Sequence, residues 1–428
     1  MAEAASTTVM TPVVDRDLVR RLAERAGEGP ALLGLRENAL AVFEATPLPD
    51  RVRHLWKFTP PRKLVPQEIG LPGRSVAEAH AIPGEASGAV LAPAGDRFEV
   101  RLPEAARTSG VRVRPLAEGD AEAVGAVVPA QTGYFEALNL AAFTAGVVVE
   151  VPDGVRIAEP VRIVVPALPG ASLPRLLVRA GRGAELTVLE EHLGGGAESR
   201  TVSVTEILAG PGAQVTHAVF EHWDAGARGH LTVRSRVERD AKVTLVVASM
   251  GGDLAKMNVG AVLEEPGARS EIGGVVLAAR RQHMDHHTFH HHRAPNTFST
   301  IDFKVALTGR GRSAYTGLIR IDRRAAGSEA YQENRNLLLS EGSRADTIPE
   351  LEILTDDVQC SHGATVAPID QEQLFYLESR GIAPQASRRL IVQGFLETAL
   401  GRLPEVLRQE MEGSVLSGLD EFLEEGEA

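Results

Sequence analysis

A regular spacing of short turn signals constrains the fold of this chain more than any other feature. Glycine or aspartate followed by alanine recurs at spacings of 29, 28 and 27 residues, at Gly183-Ala184, Gly212-Ala213, Asp240-Ala241 and Gly267-Ala268. A repeat of about 20 to 50 residues is typical of a solenoid, in which each unit buries its apolar face only by stacking on the next unit. The sequence therefore predicts a solenoid in this region.

The segments between these turns alternate apolar and polar residues, which is the period of a β-strand. Val202 and Val204 are one such pair, and Leu231 and Val233 are another. Because β-branched residues are frequent and helical periodicity is rare, we expect a β-solenoid of the parallel β-helix type. A large antiparallel sandwich gives a similar alternation and is the competing architecture.

Helical patterns flank this region on both sides. Apolar residues recur at helical spacing after Asp15, residues 137–146 are consistent with a short helix closed by Gly146, and Asp370 is placed to cap a helix. A chain of 428 residues is also too long for one ordinary core. We expect three domains: an N-terminal helical and irregular domain at 1–146, a β-helix core at 147–368 and a C-terminal helical domain at 369–428.

The only cysteine, Cys360, stands two residues before His362, where the β-pattern gives way to helix. Thiolate and imidazole are common metal ligands, and a strand would place both side chains on one face. Cys360 and His362 are therefore candidate metal ligands. The alternative is a buried thiol beside a hydrogen-bonded structural histidine. A single cysteine excludes an intrachain disulfide and is consistent with a reducing, cytoplasmic compartment.

The run HMDHHTFHHH at 283–292 is the most conspicuous local feature. His283, His286, His287 and His290 have the spacing that clusters imidazoles on one face of a helix, where they would act as metal ligands. The flanking residues are strand-like, however, and a strand scatters these positions over both faces. Hydrogen-bonded histidines on a β-surface are the competing interpretation.

The sequence lacks the signatures of several protein classes. The 45 lysine and arginine residues against 57 acidic residues give a formal charge of −12, which argues against non-specific binding of nucleic acid or anionic membranes. No run of 18 apolar residues occurs, so we expect no membrane span. The phosphate-binding motif GxxxxGK(S/T) and the nucleophile motif GxSxG are absent. Residues 309–314 fit a dinucleotide-binding pattern, but strand-like residues follow them, so they predict a turn.

Several longer runs resemble a known family. The runs YQENRNLLLS, PELEILTDDVQCSHGAT, QLFYLESRGI and HHTFHHHRAPNTFSTIDFK resemble the SufB/SufD family of iron-sulfur cluster assembly proteins. The resemblance extends from about Gly273 to Phe395. It is looser upstream, where ALNLAAF and WKFT at 56–59 look like the family's N-terminal segments, with Lys and Phe in place of the usual Arg and Tyr. Gly363 follows His362, as in the SufD branch, whereas the SufB branch usually carries Glu at that position.

The resemblance implies a right-handed parallel β-helix between helical terminal domains. It also implies that the chain pairs with SufB through the β-helix and that the ATPase SufC binds the C-terminal helices, so that this chain is not itself an enzyme. In the family, the SufD histidine that matches His362 lies near a SufB cysteine at the interface where a transient iron-sulfur cluster forms. Reduced flavin is associated with such complexes, and no residues of this sequence are assigned to it. A homodimer through the same surface is a further expectation for the isolated chain.

The number of ligands sets a limit on this function. A cluster generally takes up to four thiolate or imidazole ligands, and this chain offers one thiolate, so the others must come from a partner chain. The first hypothesis is a non-catalytic assembly subunit with His362 as an interface ligand or proton handler and Cys360 as its neighbour. The second is a stand-alone metal hydrolase or carbohydrate-active β-helix protein that uses His286 and His290.

Overall fold

The computed structural model describes residues 14–52, 54–69, 88–90, 99–102, 104–401, 403 and 405–425. The strands in this part of the chain are β1 Gly88–Val90, β2 Glu99–Arg101, β3 Arg112–Pro115, β4 Ala145–Val151, β5 Val161–Pro166, β6 Gly170–Ser172, β7 Pro174–Ala180, β8 Glu185–Gly194, β9 Ser199–Ala209, β10 Gln214–Trp223, β11 Arg228–Val237, β12 Lys242–Ser249, β13 Leu254–Leu263, β14 Arg269–Ala278, β15 His283–His292, β16 Phe298–Leu307, β17 Arg312–Ile321, β18 Ser328–Leu338, β19 Arg344–Ile353 and β20 Val358–Pro368. Four of the described α-helices precede β4, namely α1 Arg16–Ala26, α2 Pro30–Ala45, α3 Glu104–Thr108 and α4 Tyr134–Ala142. Three more follow β20, namely α5 Gln371–Ser379, α6 Pro384–Leu400 and α7 Glu405–Glu425.

The described strands form two sheets, and from β7 onward the chain alternates between them. One sheet has the order β2-β1-β5-β8-β10-β12-β14-β16-β18-β20, and the other has β19-β17-β15-β13-β11-β9-β7-β4-β3 with β6 beside β9. From β9 onward each strand pairs in parallel with the strand two positions earlier, as Gln214 in β10 does with Glu185 in β8, whereas β7 pairs with β4 and β8 with β5. Antiparallel pairs occur only at the start of the described sheets, between β1 and β2 and between β3 and β4. The parallel β-solenoid is thus confirmed, and the antiparallel sandwich is excluded. The domain boundaries at residues 146 and 368 stay a prediction.

The predicted turn residues line one corner of the solenoid. They all have left-handed backbone conformations, with φ of 62° at Gly183, 69° at Gly212, 55° at Asp240 and 77° at Gly267. Glycine adopts this region without strain, and aspartate is among the few other residues that visit it. Each alanine that follows is fully buried in the core. The column continues at Asn296 and Gly327, where threonine and serine replace the alanine.

The interior between the two sheets is filled mainly by valine, leucine, isoleucine and alanine from alternate strand positions. One close approach fixes a residue type. A Cβ on Gly274 of β14 would lie 2.3 Å from ring atoms of Phe303 in β16, so only glycine leaves room for this aromatic side chain. Replacing tightly packed interior residues of this kind typically costs about 1 to 3 kcal/mol.

The helices near the N-terminus cover the outer face of the sheet that contains β4, β7, β9 and β13. Helix α1 begins after Asp15, where the sequence pattern turns helical, and the side chain of Asp15 caps it by accepting a hydrogen bond from the amide of Leu18. The predicted helix at 137–146 is only partly correct. Helix α4 ends at Ala142, and Gly146 lies in β4 rather than in a helix cap, because this segment already enters the first parallel rung of the solenoid.

The helices α5 to α7 pack against the outer face of the other sheet, where apolar side chains of β10, β12, β14 and β16 meet Leu396, Leu400 and Leu419. Asp370 caps α5 as predicted, accepting a hydrogen bond from the amide of Glu372 at 2.8 Å. The apolar face of α6 therefore lies along the side of the solenoid rather than across its end. None of the described helices is long and apolar enough to cross a membrane.

Candidate functional site

The solenoid ends at β19 and β20, and their outer edges have no pairing strand among the described residues. Each is the last strand in the order of its sheet, and most residues of both are partly or fully exposed. Ile353, Leu354 and Val366 are large apolar residues that are about two-fifths exposed in this region, at 38%, 42% and 43%. An unpaired edge that carries apolar side chains is a ready template for another strand. We call this surface, formed by β19 and β20, the open end.

Cys360 and His362 both lie on β20 at the open end. They stand two residues apart, so their side chains share a face, and strand geometry sets their Cα atoms about 6.6 Å apart. Cys360 is opposite Ala330 of β18 and is partly buried against the solenoid core. His362 is opposite Gln332 of β18 and is exposed. The structure therefore places the two predicted residues side by side on the face that continues the solenoid interior.

The two side chains differ in how ready they are to bind a metal. Burial raises the pKa of the Cys360 thiol, and a hydrogen bond from the backbone of Ala330 offsets part of this rise. A thiolate, rather than a thiol, is the form that binds metal, so the raised pKa lowers the fraction of Cys360 in its binding form. The imidazole of His362 is open to a second chain without any movement of this one.

Polar side chains beneath the open end were missed by the sequence reasoning. Gln332, Asn334 and Asn336 of β18 point inward and are buried. Asn336 Nδ2 donates to the side-chain oxygen of Asn334 at 2.7 Å and to the carbonyl of Thr365 in β20 at 3.0 Å. Their signal was present in YQENRN, where three alternate positions of a strand all carry amide side chains. These side chains link β20 to β18 by a hydrogen bond, and they place polar groups beneath Cys360 and His362.

The histidine-rich run forms β15, as its strand-like flanks indicate, and its side chains scatter over both faces. Those of His286 and His290 point into the solenoid. The ring of His286 lies against Phe303, with centroids 5.6 Å apart, and His290 Nε2 lies 3.0 Å from Ser270 Oγ. Burial lowers the pKa of His286 to about 3 and that of His290 well below its ordinary value. Both rings are therefore neutral at physiological pH.

These positions give little support to a metal hydrolase. Residues four apart on a strand are about 13 Å apart, which is too far for His286 and His290 to hold one ion together. The part of the chain that the structure describes contains no group of three or more His, Cys, Asp or Glu residues placed to bind a metal.

On the outer face of β15, the structure shows a buried ion pair that the sequence did not reveal. Lys256 Nζ donates to Asp285 Oδ2 at 2.9 Å and to the carbonyl of Leu55 at 2.7 Å. The same ammonium lies 4.7 Å from the ring centroid of Trp56, and Thr59 donates to Asp285. These main-chain and side-chain contacts hold the WKFT run against the solenoid. The run therefore has a structural role.

A second buried polar cluster lies inside the solenoid, on β8, β9 and β10. Glu190 Oε1 lies 2.7 Å from His192 Nε2, and its other oxygen lies 2.9 Å from His217 Nε2 and accepts from Thr205 Oγ1. Burial alone would raise the pKa of Glu190, but the two histidines hold it well below its ordinary value. All four side chains are buried and both Glu190 oxygens are paired, so this cluster stabilises the interior. Nδ1 of His192 and Nδ1 of His217 are buried without a hydrogen-bond partner.

The fold and the open end together define a class: a parallel β-solenoid protein with helical ends and one thiol and one imidazole on its last strand. Comparison with known proteins gives the family. Residues 164–395, more than half of the chain, match the family described as SUF system FeS cluster assembly, SufBD core domain. The chain belongs to the SufBD family, and a role in iron-sulfur cluster assembly follows from that membership.

Named relatives agree with this assignment. An iron-sulfur cluster assembly SufBD family protein of Mycobacterium tuberculosis (strain ATCC 25618 / H37Rv) is 29% identical over 394 residues, which cover 88% of this chain and 92% of the relative. The iron-sulfur cluster assembly protein SufB of Bacillus subtilis (strain 168) is 29% identical over 68% of this chain and 65% of its own length. A SufBD family protein of Staphylococcus epidermidis (strain ATCC 12228 / FDA PCI 1200) is 30% identical over 69% of this chain and 66% of its own.

Proposed function

We propose that this chain is a SufD-type subunit that pairs with SufB through the open end, and that a nascent cluster forms where the two chains meet. The observation that carries the proposal is the pair of outer edges of β19 and β20, which no described strand covers, with Cys360 and His362 on this rung. Edge strands of soluble proteins are normally covered or protected, and addition of a partner strand satisfies their free backbone groups.

The donor set supports a shared site. One half-buried thiol and one exposed imidazole cannot fill the four positions of a cluster, so at least two ligands come from the partner. His362 is the ligand or proton handler on this side of the interface because it is exposed. Cys360 is the weaker donor because burial disfavours its thiolate. The iron-sulfur cluster is cargo in this scheme, and the chain performs no catalytic step of its own.

The assignment to the SufD branch rests on Gly363. A Cβ built on Gly363 meets no atom within 4 Å, so the fold of this chain would accept the glutamate that is usual in the SufB branch. A lack of space therefore does not explain why glutamate is absent at position 363. A carboxylate next to His362 would add a hard oxygen ligand at the interface, and this chain does not supply one.

The partner ATPase SufC is proposed to bind the C-terminal helices. Phe375 and Tyr376 on α5 are 72% and 58% exposed, and Leu390 on α6 is 47% exposed. Exposed large apolar residues on two successive helices are consistent with a protein interaction site. Cluster assembly by this chain would then draw its ATP hydrolysis from SufC.

In isolation, the same open end supports a homodimer. Reduced flavin would belong to the complex, and no residue of this chain is assigned to it.

The test is co-expression with SufB and SufC, followed by anaerobic reconstitution with iron and sulfide. We expect a stable complex whose cluster yield falls several-fold with His362→Ala. The control is His222→Ala, which removes another exposed histidine far from β20. A complex in which His362→Ala and wild type assemble clusters at the same rate would refute the role of His362. Failure to form any complex with SufB would refute the pairing itself.

A further inference from the structure

A long groove runs along the corner of the solenoid opposite the column of left-handed turn residues. Its volume is about 1820 Å³. Its floor consists of the loops that follow β10, β12, β14, β16 and β18, so it crosses five successive rungs. Rungs repeat at about 4.8 Å, which makes the floor about 19 Å long. Arg51, Phe58, Pro60 and Lys63 form one wall, and Gly418 and Phe422 of α7 form the other.

The charge of this groove is opposite to that of the protein. Two carboxylates, those of Asp224 and Asp253, face seven cationic side chains, which are Arg51, Lys63, Arg228, Arg280, Arg281, Arg310 and Arg312. The whole chain carries a formal charge of −12. A concave surface lined by one sign of charge focuses its field and attracts a ligand of the opposite sign.

Most of this positive charge is not neutralised by the protein. Arg228 lies 3.6 Å from Asp253, and Arg51 donates to the carbonyl of Lys57. Within the described ranges, Lys63, Arg281, Arg310 and Arg312 form no ion pair. The loops that carry them are stacked, since the amide of Arg310 donates to the carbonyl of Arg280 at 2.7 Å. Like charges on neighbouring rungs repel, and a bound anion would relieve that repulsion.

The remaining lining narrows the class of anion. Phe58 and Met250 place partly exposed apolar surface among the cations, and the side chains of Leu254, Leu277 and Phe422 line the groove but are almost fully buried. The volume exceeds that of ordinary small-molecule sites, which is about 300 to 1,000 Å³. A bare polyphosphate would leave the apolar surface uncovered. Nucleic acid would need a series of exposed aromatic rings for base stacking, and among the lining residues only Phe58 offers a partly exposed ring of this kind.

We propose that this groove binds an acidic segment of a partner protein, with apolar residues among its carboxylates. About six residues in extended form, at roughly 3.3 Å each, would fill its length. Guanidinium groups suit this ligand because they pair with carboxylates through two parallel hydrogen bonds. The inference is independent of the pairing with SufB, since the groove lies on the side of the solenoid and the open end lies on its last rung.

The experiment measures fluorescence anisotropy of a labelled peptide, EELEFELE, titrated with the full chain at low salt. Two double variants with the same change of charge are compared: Arg281→Glu with Arg310→Glu in the groove, and Arg323→Glu with Arg324→Glu on the opposite corner. All four arginines are exposed, so folding is not expected to change, and a thermal melt checks this. We expect the groove variant to bind at least tenfold more weakly and the opposite-corner variant to bind within twofold of wild type.

Three further probes separate the alternatives. A peptide with glutamine in place of each glutamate is expected to lose binding, and tripolyphosphate and hexathymidylate are expected to compete weakly. The proposal is overturned if the glutamine peptide binds equally well, if both double variants lose affinity equally, or if the acidic peptide does not bind. It is also overturned if hexathymidylate or tripolyphosphate binds more tightly than the peptide and loses affinity in the groove variant, since the ligand would then be a phosphate chain.

Discussion

Lys256 and Asp285 form an ion pair, with Nζ and Oδ2 2.9 Å apart, on neighbouring strands of the solenoid and beneath the N-terminal segment, where both side chains are buried. Burial alone would raise the pKa of Asp285, but Lys256 and His287 outweigh it and hold the pKa well below its ordinary value. Burial also lowers the pKa of Lys256, against the attraction of Asp285. The pair is stable because each charge has its partner and Lys256 also binds the carbonyl of Leu55.

Removing one partner of this ion pair should therefore strongly destabilise the folded protein. We expect Lys256→Ala to lower the free energy of unfolding by about 3 to 5 kcal/mol, because it leaves Asp285 as an uncompensated buried charge. Urea unfolding followed by circular dichroism measures this. Lys57→Ala, at an exposed position one residue from Trp56, is the control and should change stability by less than about 0.5 kcal/mol. An equal effect of the two substitutions would contradict a structural role for the pair.

Acid should destabilise the protein through its buried histidines. Burial lowers the pKa of His286 to about 3 and those of His230 and His292 to about 4. Between about pH 6.5 and 4 these rings bind a proton in the unfolded chain but not in the folded one, so stability is present above pH 6.5 and is lost as the pH falls. Each contributes a slope of about 1.4 kcal/mol per pH unit in that window.

The contribution of His286 to this pH dependence of stability can be measured separately. We expect His286→Phe to reduce the loss of stability between pH 6.5 and 4.5 by up to about 2.7 kcal/mol, because this variant has no ring to protonate. Urea unfolding at a series of pH values measures the slope. The exposed His222→Phe serves as the matched variant and should leave the slope unchanged. A His286→Phe profile parallel to that of wild type would show that His286 is accessible to protons in the folded state.

Cys360 should react slowly as a thiol. Since burial raises its pKa, the rate of alkylation by iodoacetamide should be low at pH 7.5 and should still be rising above pH 9. Cys360 is the only cysteine, so mass spectrometry of the whole chain reports this site alone. Cys360→Ala should lower cluster yield less than His362→Ala does. A fast reaction that levels off near neutral pH would mean that Cys360 is a reactive thiolate and the stronger donor.

Pairing through the open end should be sensitive to charge on its last strand. Val366→Lys places an ammonium at the rim, and edge lysines oppose the addition of a further strand. We expect loss of the SufB complex and of any homodimer, measured by size-exclusion chromatography with light scattering. Val52→Lys, which alters an even more exposed valine in the N-terminal region, should have no effect. Retention of both assemblies in Val366→Lys would place the interface elsewhere.

Binding of SufC should depend on α5. Phe375→Asp replaces the most exposed aromatic residue of α5 with a charge, and we expect SufC to be retained at least tenfold more weakly in a pull-down from the purified components. The melting temperature should not change, because Phe375 is 72% exposed. Glu372→Gln on the same helix is the control for a general effect on α5. Undiminished SufC binding by Phe375→Asp would exclude this surface as the docking site.

The periodic part of the fold was predictable because its cause is local. Gly183 and the equivalent turn residues adopt a backbone conformation that few residues tolerate, and alternating apolar residues bury one face of a strand. The repeat beyond Gly267 was hidden because Asn296 fills the turn position and is followed by threonine, which breaks the written pattern but keeps the conformation.

The spacing of residues along the chain was enough to predict the solenoid, the helical ends and the proximity of Cys360 to His362, because each follows from the period of a strand or helix. Packing in three dimensions was needed to show that these two residues lie on a last rung that no described strand continues, that His286 and His290 are separate interior residues, and that arginines far apart in the sequence line one groove. These features depend on which rungs are neighbours and where stacking stops. Contacts between residues about 30 positions apart arise from the register between strands, which no single strand encodes.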